Sequence, residues 1–246
     1  MKSLKGKTAL ITGASKGIGA EIARCYAKNG AKVIVNYLSG EVAAQNLVNE
    51  ITIANGIAKS IKADVSKIDE IKILLSETEK HFGKIDILVN NAGVYHFEPF
   101  EMIQENEFYR QINANLLSVL FTSQQALNHF NPNGGSIINI SSIATVKATP
   151  MTVLYSATKG AVDAITTTLA KELAPKKIRV NAILPGPTHT EGNKIKGSEM
   201  GDFITNQIPL GRLGTTKDTA NAAIFLGSDN SEWITGQKIG VSGGFD

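Results

Sequence analysis

Short apolar, β-branched runs alternate with helical stretches over nearly the whole chain, and this alternation limits the fold more than any other feature. The runs are KTALIT (7–12), KVIVNY (32–37), AKSIKAD (58–64), IDILVN (85–90), SIINIS (136–141), RVNAIL (179–184) and KIGVS (238–242). Between them lie segments with helical spacing, such as EVAAQNLVNEI and IDEIKILLSETEKHF. Several runs are apolar almost throughout, as expected when helices cover both faces of a parallel sheet. Strands separated by helices imply repeated βαβ units. The expected fold is α/β: a single doubly wound domain spanning all 246 residues.

No Pro/Ser-rich linker, repeat or low-complexity tract divides the chain. The long, weakly periodic stretch is 186–212, GPTHTEGNKIKGSEMGDFITNQIPLGR, and such a segment within a compact domain is expected to be a lid or substrate loop. The net charge of +3 is dispersed, without basic runs, which argues against a nucleic-acid groove or a membrane-binding face. Cys25 is the single cysteine, so intramolecular disulfides and thiolate clusters are excluded; in EIARCYAK it is expected as a buried structural thiol. MKSLKGK runs into the first strand without an apolar segment, and no window approaches the ~20 apolar residues of a membrane span. A soluble, cytoplasmic protein is expected. No His/Asp/Glu cluster has metal-ligand spacing, so no metal is expected.

The first strand ends in ITGASKGIGAEIA, with Gly13, Gly17 and Gly19 at a strand-to-helix turn. Glycines there permit a tight turn and close backbone approach, and the helix N-terminus offers free N–H groups to a pyrophosphate. The second strand ends in VNYLSG, where a carboxylate would accept a hydrogen bond from an adenosine ribose. Asn36, Tyr37 and Ser39 stand there instead, and Glu41 is expected to begin the next helix. Lys16, inside the glycine turn, could pair with a 2′-phosphate. This favours NADP(H) over NAD.

Asp64-Val65 follows the third strand and NNAGV (90–94) the fourth; Ser141 and Ser142 end the fifth. All belong at the carboxyl edge of the sheet, where open α/β folds bind ligands. Tyr155 opens the next helix, with Lys159 one turn along the same face and no carboxylate between them. A free phenol titrates near ~10, and a neighbouring ammonium would favour phenolate. Tyr155 is thus suited to be general acid in reduction and base in oxidation, with Ser142 holding the substrate oxygen.

TGASKGIG, DV, NNAG, NANLLS, Ser142, YSATK, NAILPGPTHT and WITGQKIGVSGG together resemble the short-chain dehydrogenase/reductase superfamily over essentially the whole length. The resemblance implies a seven-stranded Rossmann sheet and a catalytic set of Asn115, Ser142, Tyr155 and Lys159; Asn115 fits the family spacing better than Asn113. It implies cofactor binding by Gly13, Ser15, Lys16, Gly17, Ile18, Gly19, Asn36, Tyr37, Ser39, Asp64, Val65, Asn91, Ala92 and Gly93. Tyr155 and Lys159 join them, Lys159 on the nicotinamide ribose, with Pro185, Gly186 and Thr188 near the carboxamide and Thr190 near the pyrophosphate. It further implies that Asn115 supports a water leading protons to the lysine, and that the protein is a homotetramer.

Among subfamilies the chain is most similar to 3-oxoacyl-(acyl-carrier-protein) reductases of fatty acid biosynthesis, through YSATKGAV and the PLGRLG…TGQ…SGG tail. It departs from them at HFNPNGGS, which has no Lys or Arg to meet an acyl carrier protein; Lys176 and Lys177 are the nearest substitutes. A dehydrogenase of a small alcohol, sugar or polyol is the rival within the class. A non-catalytic NADP-binding sensor is the rival outside it, and it would be expected to have lost a catalytic side chain.

Overall fold

The computed structural model describes residues 3–193 and 195–246. Seven parallel strands form one sheet: β1 (Thr8–Ile11), β2 (Lys32–Tyr37), β3 (Ile57–Lys62), β4 (Ile87–Asn90), β5 (Gly135–Ile140), β6 (Ile178–Pro185) and β9 (Lys238–Val241). Their order is β3-β2-β1-β4-β5-β6-β9, so the winding reverses between β1 and β4. Such a reversal opens a crevice at the carboxyl ends of the two strands. A small second pair, β7 (Thr188–His189) and β8 (Gly214–Thr215), lies outside this sheet.

Successive residues of the apolar strands feed two separate cores. Ala9, Ile11, Val33, Val35, Ile87, Val89, Ile138 and Ile140 pack on one face, with Ile22 and Tyr26 of α1 (Gly17–Lys28), Leu47 of α2 (Glu41–Ile53) and Ala223 of α8 (Thr216–Gly227). Leu10, Ile34, Leu88 and Ile137 point the other way, toward α3 (Ile68–Phe82), α5 (Ser118–Ala126) and α6 (Val153–Glu172), through Leu74, Ala126 and Ala170. A strand buried on both faces favours apolar residues at successive positions, which is why these runs do not alternate. The fully buried Tyr26 fastens α1 to α8 by donating its hydroxyl to the Ala223 carbonyl at 2.8 Å. Cys25 is only half-buried; its Sγ lies 3.6 Å from Glu21 Oε1, and burial with that carboxylate pushes the thiol up to about 11.

The segment expected to be a loop is partly ordered. It contains β7 and a short helix, α7 (Glu199–Thr205), capped by Ser198, whose hydroxyl accepts from the Gly201 amide at 3.1 Å. Its far end is held by the Arg212–Asp218 pair at 2.8 Å and by the Leu210 amide donating to the Gly243 carbonyl. No helix among the described residues is long and apolar enough to cross a membrane.

Candidate active site

The glycine turn between β1 and α1 is built for close backbone approach. Gly13 has φ +60°, and a Cβ there would lie 2.8 Å from Ala92 Cα; at Gly19 it would meet Asn91 Nδ2 at 2.4 Å. The turn is tied to the end of β4 through Thr12, whose hydroxyl accepts from the Asn91 and Ala92 amides at 3.0 Å each. The Asn91 side chain donates back to the Thr12 and Gly13 carbonyls. No side chain caps the N-terminus of α1, and its first turn holds no acidic residue. Its leading N–H groups are therefore available to an anion, which fits a dinucleotide pyrophosphate. Thr190 lies over this point, within van der Waals reach of a Cβ built on Gly17.

Beyond the turn, the β2 end is packed against it: a Cβ on Gly40 would lie 2.8 Å from Ser15 Oγ. Lys16 and Ser39 are exposed on this side, while Tyr37 is buried. Glu41 is the first residue of α2, as expected. The Asn36 side chain is buried, accepting from the Gly13 amide at 3.2 Å and donating to the Ala63 carbonyl at 3.0 Å, so it braces the turn. Asp64 turns one carboxylate oxygen into the bend before α3, accepting from the Ser66 amide and hydroxyl at 3.0 and 2.6 Å. Val65 is part of the lower core. Pro185 is buried at the end of β6; Gly186 touches the backbone of Ser242, and the Thr188 hydroxyl donates to the Gly186 carbonyl at 2.8 Å.

The catalytic candidates converge where β5 ends. Three consecutive positions there are matched by one face of α6. The Lys159 ammonium donates to the Ile140 carbonyl at 2.8 Å, the Ser141 hydroxyl donates to Asp163 Oδ1 at 2.6 Å, and the Ser142 side chain lies near enough to the Tyr155 phenol to influence its ionisation. From β4, the Gly93 backbone comes against both Asn115 Oδ1 and Lys159 Nζ. Asn115 is buried and Asn113 exposed. Asn115 accepts from the Val94 amide at 2.8 Å and donates to the Val94 carbonyl at 2.9 Å and the Thr158 hydroxyl at 3.1 Å. It sits in a π-helical turn, Ile112–Leu117, between α4 (Glu105–Gln111) and α5, with the Ser118 amide reaching back to the Asn113 carbonyl. Such wide turns leave carbonyls loosely held and recur at functional sites.

Electrostatics at this point differ from the expectation. Burial pushes the Tyr155 phenol above its ordinary value of 10; the neighbouring Ser142 hydroxyl opposes this. The lysine expected to depress the phenol is turned toward Ile140, its Nζ 5.9 Å from the ring centre, and in the chain alone burial prevails. Lys159 is itself buried, and desolvation lowers it to about 8, with Asp163 pulling the other way. A pKa near neutrality suits a group that must exchange or relay protons.

Sequence reasoning overlooked several contributors. Thr12 was visible only as the polar end of an apolar strand, and Asp163 lay one turn beyond the motif that drew attention. Tyr95 and Phe97 follow NNAG and form an aromatic wall: their ring centres are 5.4 Å apart, and Phe97 meets Tyr155 edge-on at 5.7 Å. The Tyr95 hydroxyl also donates to the Gly192 carbonyl at 3.5 Å, touching the 186–212 segment. His96 and His189 are exposed and outside this cluster. Lys176 and Lys177 precede β6, and HFNPNGGS precedes β5, so both lie at the amino edge of the sheet, opposite the site. Among the described residues no group of three or more His, Cys, Asp or Glu side chains could hold a metal.

Comparison with known proteins agrees with this geometry. Residues 13–246 match the family described as enoyl-(acyl carrier protein) reductase. An uncharacterised oxidoreductase of Methylorubrum extorquens is 47% identical over 99% of both chains. A short-chain dehydrogenase/reductase from Serratia marcescens superposes with a TM-score of 0.95 at 33% identity, over 99% of each chain. The angucycline C-6 ketoreductase LanV, solved with bound NADP, gives 0.93 at 35% identity over 99% of this chain and 96% of its own. With a glycine turn, a Ser-Tyr-Lys cluster and a seven-stranded parallel sheet matched from end to end, the chain belongs to the short-chain dehydrogenase/reductase superfamily of oxidoreductases.

Proposed function

We propose that the protein reduces a ketone to a secondary alcohol with NADPH. The observation that carries this reading is the convergence of Ser142, Tyr155 and Lys159 at the carboxyl edge of the sheet, beside an uncapped glycine turn. NADPH, when bound, supplies the hydride. Ser142 holds the carbonyl oxygen as charge develops on it, and Tyr155 delivers the proton. Lys159 binds the nicotinamide ribose and stabilises the phenolate left behind. Asn115 holds Gly93 and Val94 in place beside Lys159 and supports a water on the proton path. Lys16 and Ser39, both exposed beside the β2 end, favour a 2′-phosphate.

A 3-oxoacyl thioester is the first substrate proposed, on the motifs shared with that subfamily, and in its free form, because the lysines nearest the expected carrier contact lie at the opposite edge. The Tyr95–Phe97 wall favours a second reading, a ketone on an aromatic ring system, and LanV acts on an angucycline. Apolar side chains exposed on α4 and α5 (Phe108, Tyr109, Leu120) and Trp233 before the edge strand β9 support a homotetramer.

The test follows NADPH absorbance with a short 3-oxoacyl thioester, a 2-enoyl thioester, a fused-ring aromatic ketone and a polyol, repeated with NADH. Consumption of NADPH by a carbonyl substrate, at least ~10-fold faster than NADH, is the expected result. Turnover of the enoyl thioester alone would replace the reading with double-bond reduction. Tight NADPH binding without turnover of any member would favour the sensor.

A further inference from the structure

We propose that Asp163 is a positioning residue for the reaction: its carboxylate, clamped by Ser141, keeps Lys159 cationic and in place beside Tyr155. The inference rests on the ketoreductase reading but adds a residue outside the expected catalytic set. Asp163 stands one helical turn beyond Lys159, on the same face of α6, and is buried like the lysine. The Ser141 hydroxyl joins the two by donating to Asp163 Oδ1 at 2.6 Å and lying 3.3 Å from the Lys159 carbonyl.

The other groups facing Lys159 are neutral. β5 presents the Ile140 carbonyl and the Ser141 hydroxyl, the turn after β4 presents Gly93, the π-helical turn presents the Asn115 amide, and Tyr155 precedes it on α6. Among the described residues, Asp163 is the one charged side chain that bears on the lysine, and it opposes the desolvation that lowers Lys159 to about 8. Loss of one nearby opposite charge moves such a group by about one unit or more. A further fall of that size would leave the lysine roughly half neutral at neutral pH. The phenolate would then lose its counter-charge.

The experiment is a 13Cε-lysine NMR titration of the whole protein, with the Lys159 signal assigned by Lys159→Met. In the wild type the signal is expected to titrate near 8, and in Asp163→Asn about one unit lower. Ser141→Ala, which removes the clamp but not the charge, should move it by less than about half as much. The alkaline limb of NADPH-dependent ketone reduction should move in parallel. Should the asparagine variant fail to fold, Asp163→Thr keeps an oxygen for Ser141 and carries the same expectation. A folded neutral variant whose lysine titrates as in the wild type would overturn the proposal. A wild type that reduces no ketone would reject the functional reading, while the titration still decides the role of Asp163.

Discussion

The two ends of the crevice are built from opposite materials. At the glycine turn the ligand-facing surface is backbone, made accessible by missing side chains, and the polar side chains behind it (Thr12, Asn36, Asn91) bond the main chain of the turn and of the β4 end. At the end of β5 the working groups are side chains, among them a buried lysine and a half-buried phenol. The first end gains stability from satisfied amides. The second loses stability by desolvating a charge, a cost accepted at sites that need a shifted pKa. Damage to the first should therefore harm folding and cofactor binding together, whereas damage to the second should separate activity from stability.

The largest effect expected is at the second end. Tyr155→Phe should lower turnover on the order of 10²–10⁴-fold while NADPH affinity, read by fluorescence titration, changes little. Gly19→Ala tests the first end. With Asn91 Nδ2 at 2.4 Å from the added Cβ, it should cost about 1–3 kcal/mol of stability by denaturant titration and weaken NADPH binding as well. If only one property falls, the claim that backbone serves both purposes is wrong.

Lys159→Met sharpens the comparison through pH. The folded lysine, lowered to about 8 from its ordinary value of 10.5, holds fewer protons than the unfolded one between those values. Its penalty is therefore full below pH 8 and is relieved as pH rises toward 10.5. The inactive Met variant should accordingly gain stability relative to wild type near neutral pH. That advantage should shrink by about 2 kcal/mol between about pH 7 and about pH 9.5. A constant difference across this range would mean that Lys159 carries no desolvation cost. Smaller effects are expected at the rims. Lys16→Ala should raise the KM for NADPH by about 10-fold and leave that for NADH unchanged. Phe97→Ala should raise the KM for a fused-ring ketone by several-fold, consistent with about 0.5–1.5 kcal/mol for an aromatic pair.

The difference between the two ends also explains what the sequence revealed. Strands, helices and the glycine turn are local: β-branched runs, helical spacing and glycines at a strand end are visible without knowing what packs where. The β2 end was less legible, because Asn36 and Ser39 are both small polar residues and only burial separates the brace from the exposed rim. The segment 186–212 looked unstructured because α7 is seven residues long, too short for periodicity to register. Tyr155 and Lys159 were found by motif, but the balance of their charges was not, since it depends on Asp163, Ser141 and the depth of burial.

The double-sided burial of the strands has a consequence for how the chain finds its register. In a sheet with one wet face, a slip by one residue exposes every apolar side chain and is forbidden on that ground. Here Leu88 and its neighbours Ile87 and Val89 are all buried, so hydrophobicity alone hardly distinguishes one alignment from the next. The distinction falls to the buried polar residues of the strands. Asn90 pairs with Asn139 across β4 and β5 at 2.9 Å, Asn139 continues to Thr166 on α6, and Asn181 of β6 accepts from the Gln237 amide. These amides act as keys that only one alignment can turn. Those of β4 and β5 sit immediately before the residues that form the crevice, so the pairing that selects the fold also sets the site's geometry.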